Sequence, residues 1–283
     1  MGPQLITDAE RRQFVRYTHT RHWPMLQRFP VTEVVHDDLL GQMMSCPAGT
    51  ARDLVNGFAV QARETAAEMV AGEAFRAALR ALPFRPGDRI AAVGDSITAD
   101  RVGWFELLSA SAVLTGAPAG ELVNLGVSGN TTADVLERFD LLESARPSHV
   151  VLMLGTNDAR SHGRAVNHRM ATVSETERNL RALIDLVVNG LGATVTVITP
   201  PAVDQQRVDT YFAGAPVRWY AADVAEVAEA VRKVAPDALD LHSVIQAGPA
   251  GMLEADGVHP TPAGQRLILT HIVDHLVGAS ARR

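Results

Sequence analysis

The stretch Arg89–Thr98 reads RIAAVGDSIT and joins a short apolar run to a turn that carries a serine. The run Arg89–Val93 has the length and the apolar content of a buried strand. Gly94 then predicts a tight turn, and apolar residues at helical spacing follow it. A strand that leads through a turn into a helix is the repeating unit of parallel α/β sheets. This stretch therefore indicates an α/β fold and places Ser96 at the edge of its sheet.

The same unit recurs towards the C-terminus. Further strands are predicted at Glu121–Leu125, His149–Leu154 and Ala193–Thr199, with a short fifth strand at Ala238–Leu241. Apolar residues at helical spacing predict helices around Val102–Leu108, Glu175–Val188, Asp223–Val234 and Gly264–Val277. Right-handed crossovers place such helices on both faces of the sheet. We therefore expect a three-layer α/β/α sandwich with a mostly parallel sheet, and functional loops at the carboxyl ends of its strands.

The first 86 residues have a different, helical pattern. Thr7 and Glu10 have the spacing of a capping box and predict a short helix that runs towards Thr20. A longer helix is predicted from Thr50, and Gly72 divides it from a shorter one. The turn Leu82–Gly87 contains two prolines and ends this region. We expect residues 1–86 to form a helical N-terminal extension that acts as a lid, a substrate-recognition element or a dimerisation element, and residues 87–283 to form the α/β domain.

Charge and composition exclude several classes of protein. The net charge of −6 argues against a nucleic-acid partner. No run approaches the roughly 20 apolar residues of a membrane span, and the N-terminus lacks the pattern of a secretory signal, so a cytoplasmic protein is expected. The single cysteine, Cys46, excludes an internal disulfide and a cysteine-based zinc site. His271 and His275 are four residues apart but have no evident third ligand, so no metal site is predicted.

Two distant segments carry the residue types of nucleophilic catalysis. Ser96 follows the first strand directly, at a turn that exposes a hydroxyl. Near the C-terminus, Asp256 precedes His259 by three residues, so its carboxylate can orient the imidazole from within the same loop. His259 would then accept the serine proton. The sequence departs from the G-x-S-x-G motif of α/β-hydrolases because Thr98 occupies the last position.

Two further loops offer hydrogen-bond donors for an oxyanion. Gly129 follows the second strand, where a glycine lets its backbone N–H approach a ligand closely. Asn157 follows the third strand and has an amide group that can donate. Acyl transfer develops negative charge on a carbonyl oxygen, and fixed donors of this kind stabilise it.

Together these blocks resemble the SGNH, or GDSL, hydrolase superfamily: Gly94-Asp95-Ser96, Gly129, Gly155-x-Asn157-Asp158 and Asp256-x-x-His259. The resemblance extends over about Arg89–Val277 and departs from the name-giving motif at Ile97, which replaces a leucine. It implies a flavodoxin-like fold without a metal or another cofactor. It also implies that Ser96 is the nucleophile and first oxyanion donor. Gly129 and Asn157 are then the further donors, and Asp256 and His259 complete the triad.

The function expected from this resemblance is hydrolysis of a small or medium acyl ester or thioester through an acyl-enzyme. One alternative is an acyltransferase that passes the acyl group from Ser96 to an alcohol or amine, and a remote one is a binding module without catalysis. The sequence does not determine the oligomeric state, although the N-terminal helices could form a dimer.

Candidate substrate-binding residues lie near the motifs. Arg160 and Arg164 follow the asparagine block and could bind an anionic substrate, or could belong to a solvated loop. Asp95, beside the serine, is a third candidate. The aromatic pairs Tyr211-Phe212 and Trp219-Tyr220 could line an acyl pocket or pack in the core.

Overall fold

The N-terminal region is helical, as the sequence predicts. The computed structural model describes residues 7–165 and 168–281. Its first helices are α1 (Asp8–Tyr17), α2 (Pro24–Gln27), α3 (Glu33–Met43), α4 (Ala48–Ala71) and α5 (Glu73–Arg80), with a 3-10 turn at Thr20–His22. The capping box of α1 is formed by Thr7 and Glu10, and α4 ends at Gly72. The sequence analysis did not identify α3, because this helix buries His36 and Asp37 and so lacks a simple apolar stripe.

The central sheet is parallel. The strands of the described chain are β1 (Arg89–Gly94), β2 (Glu121–Asn124), β3 (His149–Met153), β4 (Ser161–His162), β5 (Thr194–Ile198) and β6 (Val217–Arg218). Four of them form one sheet in the order β2-β1-β3-β5, with every neighbouring pair parallel. The other two, β4 and β6, form a separate antiparallel pair.

The fifth strand predicted at 238–241 is reduced to one residue that pairs with β5. Leu239 makes a single parallel bridge to Ile198, and the chain then leaves the sheet. The reason is local, because the Asp240 carboxylate accepts a hydrogen bond from the Ser243 N–H and so caps a helix that starts at Leu241.

Helices cover both faces of the sheet and confirm the α/β/α sandwich. They are α6 (Ser96–Ala99), α7 (Trp104–Thr115), α8 (Thr132–Glu137), α9 (Phe139–Ala145), α10 (Val173–Asp185), α11 (Gln205–Tyr211), α12 (Ala221–Val234), α13 (Leu241–Ala247) and α14 (Pro262–Ala281). One apolar cluster joins β1 and β3 to α7 and α14, and a second joins the opposite face to α10 and α12. Two layers of apolar side chains therefore enclose the sheet.

The N-terminal helices pack onto one face of this sandwich. Ala62 of α4 and Leu79 of α5 belong to the same buried cluster as Trp104 of α7. Phe58 of α4 and Val102 share another buried cluster with Val15 of α1. Among residues 7–165 and 168–281, none of the helices has both the length and the apolar character that a membrane crossing requires.

Candidate active site

Ser96 lies at the sharp turn between β1 and α6. Gly94 ends the strand, and a β-carbon in its place would lie 2.8 Å from the backbone oxygen of Met153 and would also collide with the Thr98 side chain. Only glycine fits there. The Asp95 carboxylate accepts a hydrogen bond from the Ile97 N–H at 3.0 Å and so caps the turn. This local geometry presents Ser96 at the carboxyl edge of the sheet.

Ser96, His259 and Asp256 form a continuous chain of hydrogen bonds. Ser96 Oγ lies 2.8 Å from His259 Nε2, and His259 Nδ1 lies 2.7 Å from Asp256 Oδ2. Since an ionised carboxylate only accepts, Nδ1 carries the proton and Nε2 is free to accept from the serine hydroxyl. The structure therefore brings together the three residues that the sequence analysis identified.

Asp256 is held in its ionised form. Burial opposes its charge, but hydrogen bonds from the His259 ring, from the His259 backbone N–H and from the Val258 N–H outweigh burial and lower the pKa of Asp256. Both backbone donors lie 2.9 Å from Oδ1. A fixed, charged carboxylate keeps the imidazole in one orientation and one tautomer.

The expected oxyanion donors line the same cleft as the serine. Ser96, Gly129, Asn157 and His259 all border a cleft of about 280 Å³. Gly129 has a φ of 84°, a backbone conformation that favours glycine. Asn157 is buried, and its Nδ2 donates one hydrogen to the Asn130 carbonyl oxygen at 3.1 Å. Its second amide hydrogen remains for a ligand.

Asp158 ties the two donor loops together. Its fully buried carboxylate accepts hydrogen bonds from the Thr132 hydroxyl at 2.5 Å, from the Thr132 N–H at 3.1 Å and from the Thr176 hydroxyl at 3.3 Å. Burial raises the pKa of Asp158 despite these donors. The sequence analysis included Asp158 in a motif but gave it no role, because its partners come from other elements.

The three candidate substrate-binding residues have different positions. Arg160 lines the cleft, and its role in binding an anionic substrate stays a prediction. Arg164 does not line it, because the chain turns away after β4 and leaves this side chain exposed. Asp95 is only 1% exposed and faces the protein, so its assignment to the substrate is wrong. Burial raises the pKa of Asp95 to about 6, against the effect of the Ile97 N–H.

The sequence analysis did not identify the contribution of α1 to the cleft. Gln13, Phe14 and Tyr17 line one side of it, and the ring of Tyr17 lies 4.4 Å from that of His259, centroid to centroid. No local motif marks these residues. Trp219 is buried in the core and also lines the cleft, and its Nε1 donates a hydrogen bond to the Thr156 carbonyl oxygen at 2.9 Å.

Within the described part of the chain, histidines, cysteines and carboxylates form no cluster of three or more that could hold a metal ion. The hydrogen-bonded chain and the donors of the cleft are the arrangement that acyl transfer requires, since a serine needs a base and the developing oxyanion needs fixed donors.

The chain is similar to known esterases and acylhydrolases. The esterase TesA from Pseudomonas aeruginosa is 29% identical over 189 residues, which cover 64% of this chain and 83% of TesA. The lipase/acylhydrolase from Enterococcus faecalis superposes with a TM-score of 0.55 at 27% identity and covers 68% of this chain and 96% of that one. The acetyl xylan esterase Axe2 from Geobacillus stearothermophilus, at 20% identity and a TM-score of 0.54, shares the fold over 68% and 96% of the two chains.

The model of the GDSL-like Lipase/Acylhydrolase family matches residues 92–267, which include every motif of the site. Because this match spans more than half of the chain, the protein belongs to that family and is a serine hydrolase of the SGNH type.

Proposed function

We propose that the protein is a serine esterase that hydrolyses a small or medium acyl ester through a triad of Ser96, His259 and Asp256. The observation that carries this proposal is the contact of 2.8 Å between Ser96 Oγ and His259 Nε2, which continues to Asp256. The cleft of about 280 Å³ supports a substrate of modest size, since it lies near the lower end of typical ligand pockets.

The reaction has two steps. His259 Nε2 takes the hydroxyl proton as Ser96 Oγ bonds to the ester carbonyl carbon, and the N–H groups of Ser96 and Gly129 and the amide of Asn157 stabilise the oxyanion. The carbon–oxygen bond to the alcohol then breaks, and the alcohol takes the proton from His259. In the second step His259 removes a proton from water, the hydroxide bonds to the acyl carbon, and Ser96 leaves with that proton.

The test is turnover of p-nitrophenyl esters from acetyl to dodecanoyl. We expect the highest kcat/KM for short and medium chains and no turnover by Ser96→Ala with the fold intact. Ser174→Ala, the same change at an exposed serine outside the cleft, is the control. Turnover that survives Ser96→Ala would refute the proposal. Rapid acylation with slow hydrolysis that an added alcohol or amine accelerates would assign the protein as an acyltransferase.

We extend the proposal to a substrate that carries a negative charge, because Arg160 lies at the cleft. Arg160 lines the cleft and forms no ion pair with any residue that the structure describes. In the neighbouring loop, by contrast, Arg169 is paired with Asp223 and Glu226. An unpaired guanidinium beside the oxyanion donors fits a carboxylate or phosphate on the substrate.

A pair of esters tests this extension. Arg160→Ala should raise KM for mono-p-nitrophenyl succinate at least fivefold more than for p-nitrophenyl butyrate, because only the former carries a free carboxylate. Arg164→Ala, in the same loop but outside the cleft, should leave both values unchanged. Equal effects of Arg160→Ala on the two esters would refute a role in charge recognition.

A further inference from the structure

One face of the His259 imidazole is covered by an aromatic ring from outside the family core. The centroids of Tyr17 and His259 are 4.4 Å apart, and the two ring planes are inclined by 35°. Tyr17 is 9% exposed, and its hydroxyl finds no hydrogen-bond partner among the described residues. The contact therefore depends on the ring of Tyr17 and not on its hydroxyl.

The tilted Tyr17 ring limits rotation of the imidazole out of its own plane, which is the motion that the hydrogen bonds of His259 restrict least. Ser96 and Asp256 hold the two ring nitrogens at 2.8 and 2.7 Å, which fixes the imidazole within its own plane. The ring can still rock about the line that joins these nitrogens. Rocking would turn the lone pair of Nε2 away from the serine hydroxyl, and hydrogen bonds weaken as their angle departs from linearity. A ring against the face opposes this movement.

Tyr17 is itself firmly held. The Ser128 hydroxyl, next to Gly129, donates to the Tyr17 carbonyl oxygen at 2.5 Å. Arg16 donates to both carboxylate oxygens of Asp100, at 2.9 and 2.8 Å, and to Glu254 at 2.7 Å. Asp100 follows the Ser96 turn, and Glu254 belongs to the loop of Asp256 and His259. The end of α1 is thus bonded to three loops of the site.

A second arginine adds to this attachment. Arg101 donates to the carbonyl oxygens of Val15 at 2.9 Å and Thr18 at 3.0 Å, which are carbonyls at the C-terminal end of α1. These bonds join backbone atoms to a partly buried side chain, so α1 has no free hinge at the cleft. A lid would need the opposite arrangement, with few contacts to the site.

We propose that Tyr17 is a positioning residue for His259 and that α1 forms a fixed wall of the active site. The role of His259 as the base is taken from the proposed function, whereas the effect of Tyr17 on the imidazole is measurable without turnover. Of the three roles expected for the N-terminal extension, a fixed wall of the cleft corresponds to substrate recognition and not to a lid.

Replacement of Tyr17 gives the kinetic test. Tyr17→Phe keeps the ring and loses a hydroxyl without a partner, so kcat should stay within twofold of the wild type. Tyr17→Leu removes the ring, and we expect kcat for p-nitrophenyl acetate to fall about tenfold, equivalent to ~1.4 kcal/mol of the barrier, while KM changes less than threefold. Tyr17→Met is a second variant without a ring, should the leucine variant unfold. Tyr211→Leu, at an exposed tyrosine outside the cleft, is the control.

Proton NMR of the His259 Nδ1–H gives a readout that does not depend on turnover. A strongly hydrogen-bonded proton should resonate far downfield in the wild type and in Tyr17→Phe, and should broaden through faster exchange with water in Tyr17→Leu. A leucine variant that keeps both kcat and the sharp signal would overturn the inference. If the wild type lacks turnover that depends on Ser96 but shows the signal that depends on Tyr17, the proposed function fails and the positioning role stands.

Discussion

Of the three proposed oxyanion donors, Asn157 is the one that can be removed with the least change to the backbone. Its side chain can be truncated, whereas the other two expected donors, Ser96 and Gly129, act through backbone N–H groups. Asn157→Ala should lower kcat about 10²–10³-fold, or ~3 kcal/mol, because a fixed donor acts mainly on the charge of the transition state. KM should change little. Asn189→Ala, at an exposed asparagine, is the control in steady-state assays with p-nitrophenyl butyrate. A change confined to KM would contradict this role.

Asp95 makes the stability of the fold depend on pH. Burial raises its pKa in the folded protein from 3.8 to about 6, so between these values the folded state holds more protons than the unfolded chain. Its contribution to stability is therefore fully present below pH 4 and is lost as the pH rises through 6. Asp95→Asn keeps an oxygen for the Ile97 N–H and removes the charge.

Between pH 4 and pH 8 the free energy of unfolding of Asp95→Asn, measured in urea, should therefore rise by about 3 kcal/mol relative to that of the wild type. Each pKa unit corresponds to about 1.36 kcal/mol. Asp53→Asn, the same change at an exposed site, gives the baseline. An equal difference between variant and wild type at both pH values would show that Asp95 does not titrate in this window.

Residues of the site differ in how far the sequence predicts them. Ser96 and His259 lie in motifs whose chemistry is local, so spacing and residue type are sufficient to select them. The burial of Asp95 depends on the packing of neighbouring loops, so proximity to the serine was misleading. Tyr17 approaches His259 only through the tertiary fold, and nothing within α1 indicates that contact.

At the scale of elements, Arg16 links α1 to two loops of the site. Asp100 is completely buried, and the Arg16 side chain is 11% exposed. Burial opposes the charge of Arg16, but Asp100 outweighs it and raises its pKa. Arg16→Met should lower the free energy of unfolding by about 3–5 kcal/mol in urea titrations, because it leaves the Asp100 carboxylate buried without a counter-charge.

Arg28 provides the matched control. It also joins the N-terminal region to the sandwich, through Asp140, but the two side chains are 43% and 49% exposed. Arg28→Ala should cost less than about 1 kcal/mol, since water screens exposed ion pairs. Losses of similar size for the two arginines would mean that Arg16 is not the main attachment of α1.

The sequence predicts best those helices and strands in which apolar residues recur at regular spacing. The four strands of the main sheet lie within one residue of their predicted ends. The short pair of β4 and β6 was missed, because two residues in each strand give no alternation to detect. The same applies to α3, whose buried side chains include a histidine and an aspartate.

At the scale of the whole molecule, the N-terminal helices and the α/β sandwich share buried clusters. The sequence pattern divides the chain at 86/87, yet Ala62 and Leu79 pack with Trp104. We therefore predict that the two regions unfold as one unit. Amide hydrogen exchange of the wild type in a urea titration, read on peptides from α4 and from β3, should give the same midpoint. An earlier transition for α4 would contradict this prediction and favour two independent domains.

In the proposed mechanism Ser96 forms the acyl-enzyme with His259 as its base. The most direct measurement is mass spectrometry of the protein after rapid mixing with p-nitrophenyl acetate, followed by peptide mapping. We predict one acetyl group per chain, carried by the peptide that contains Ser96, absent in Ser96→Ala and formed at least 10³-fold more slowly in His259→Ala. An acetyl group on another residue, or one that persists in Ser96→Ala, would refute the proposed mechanism.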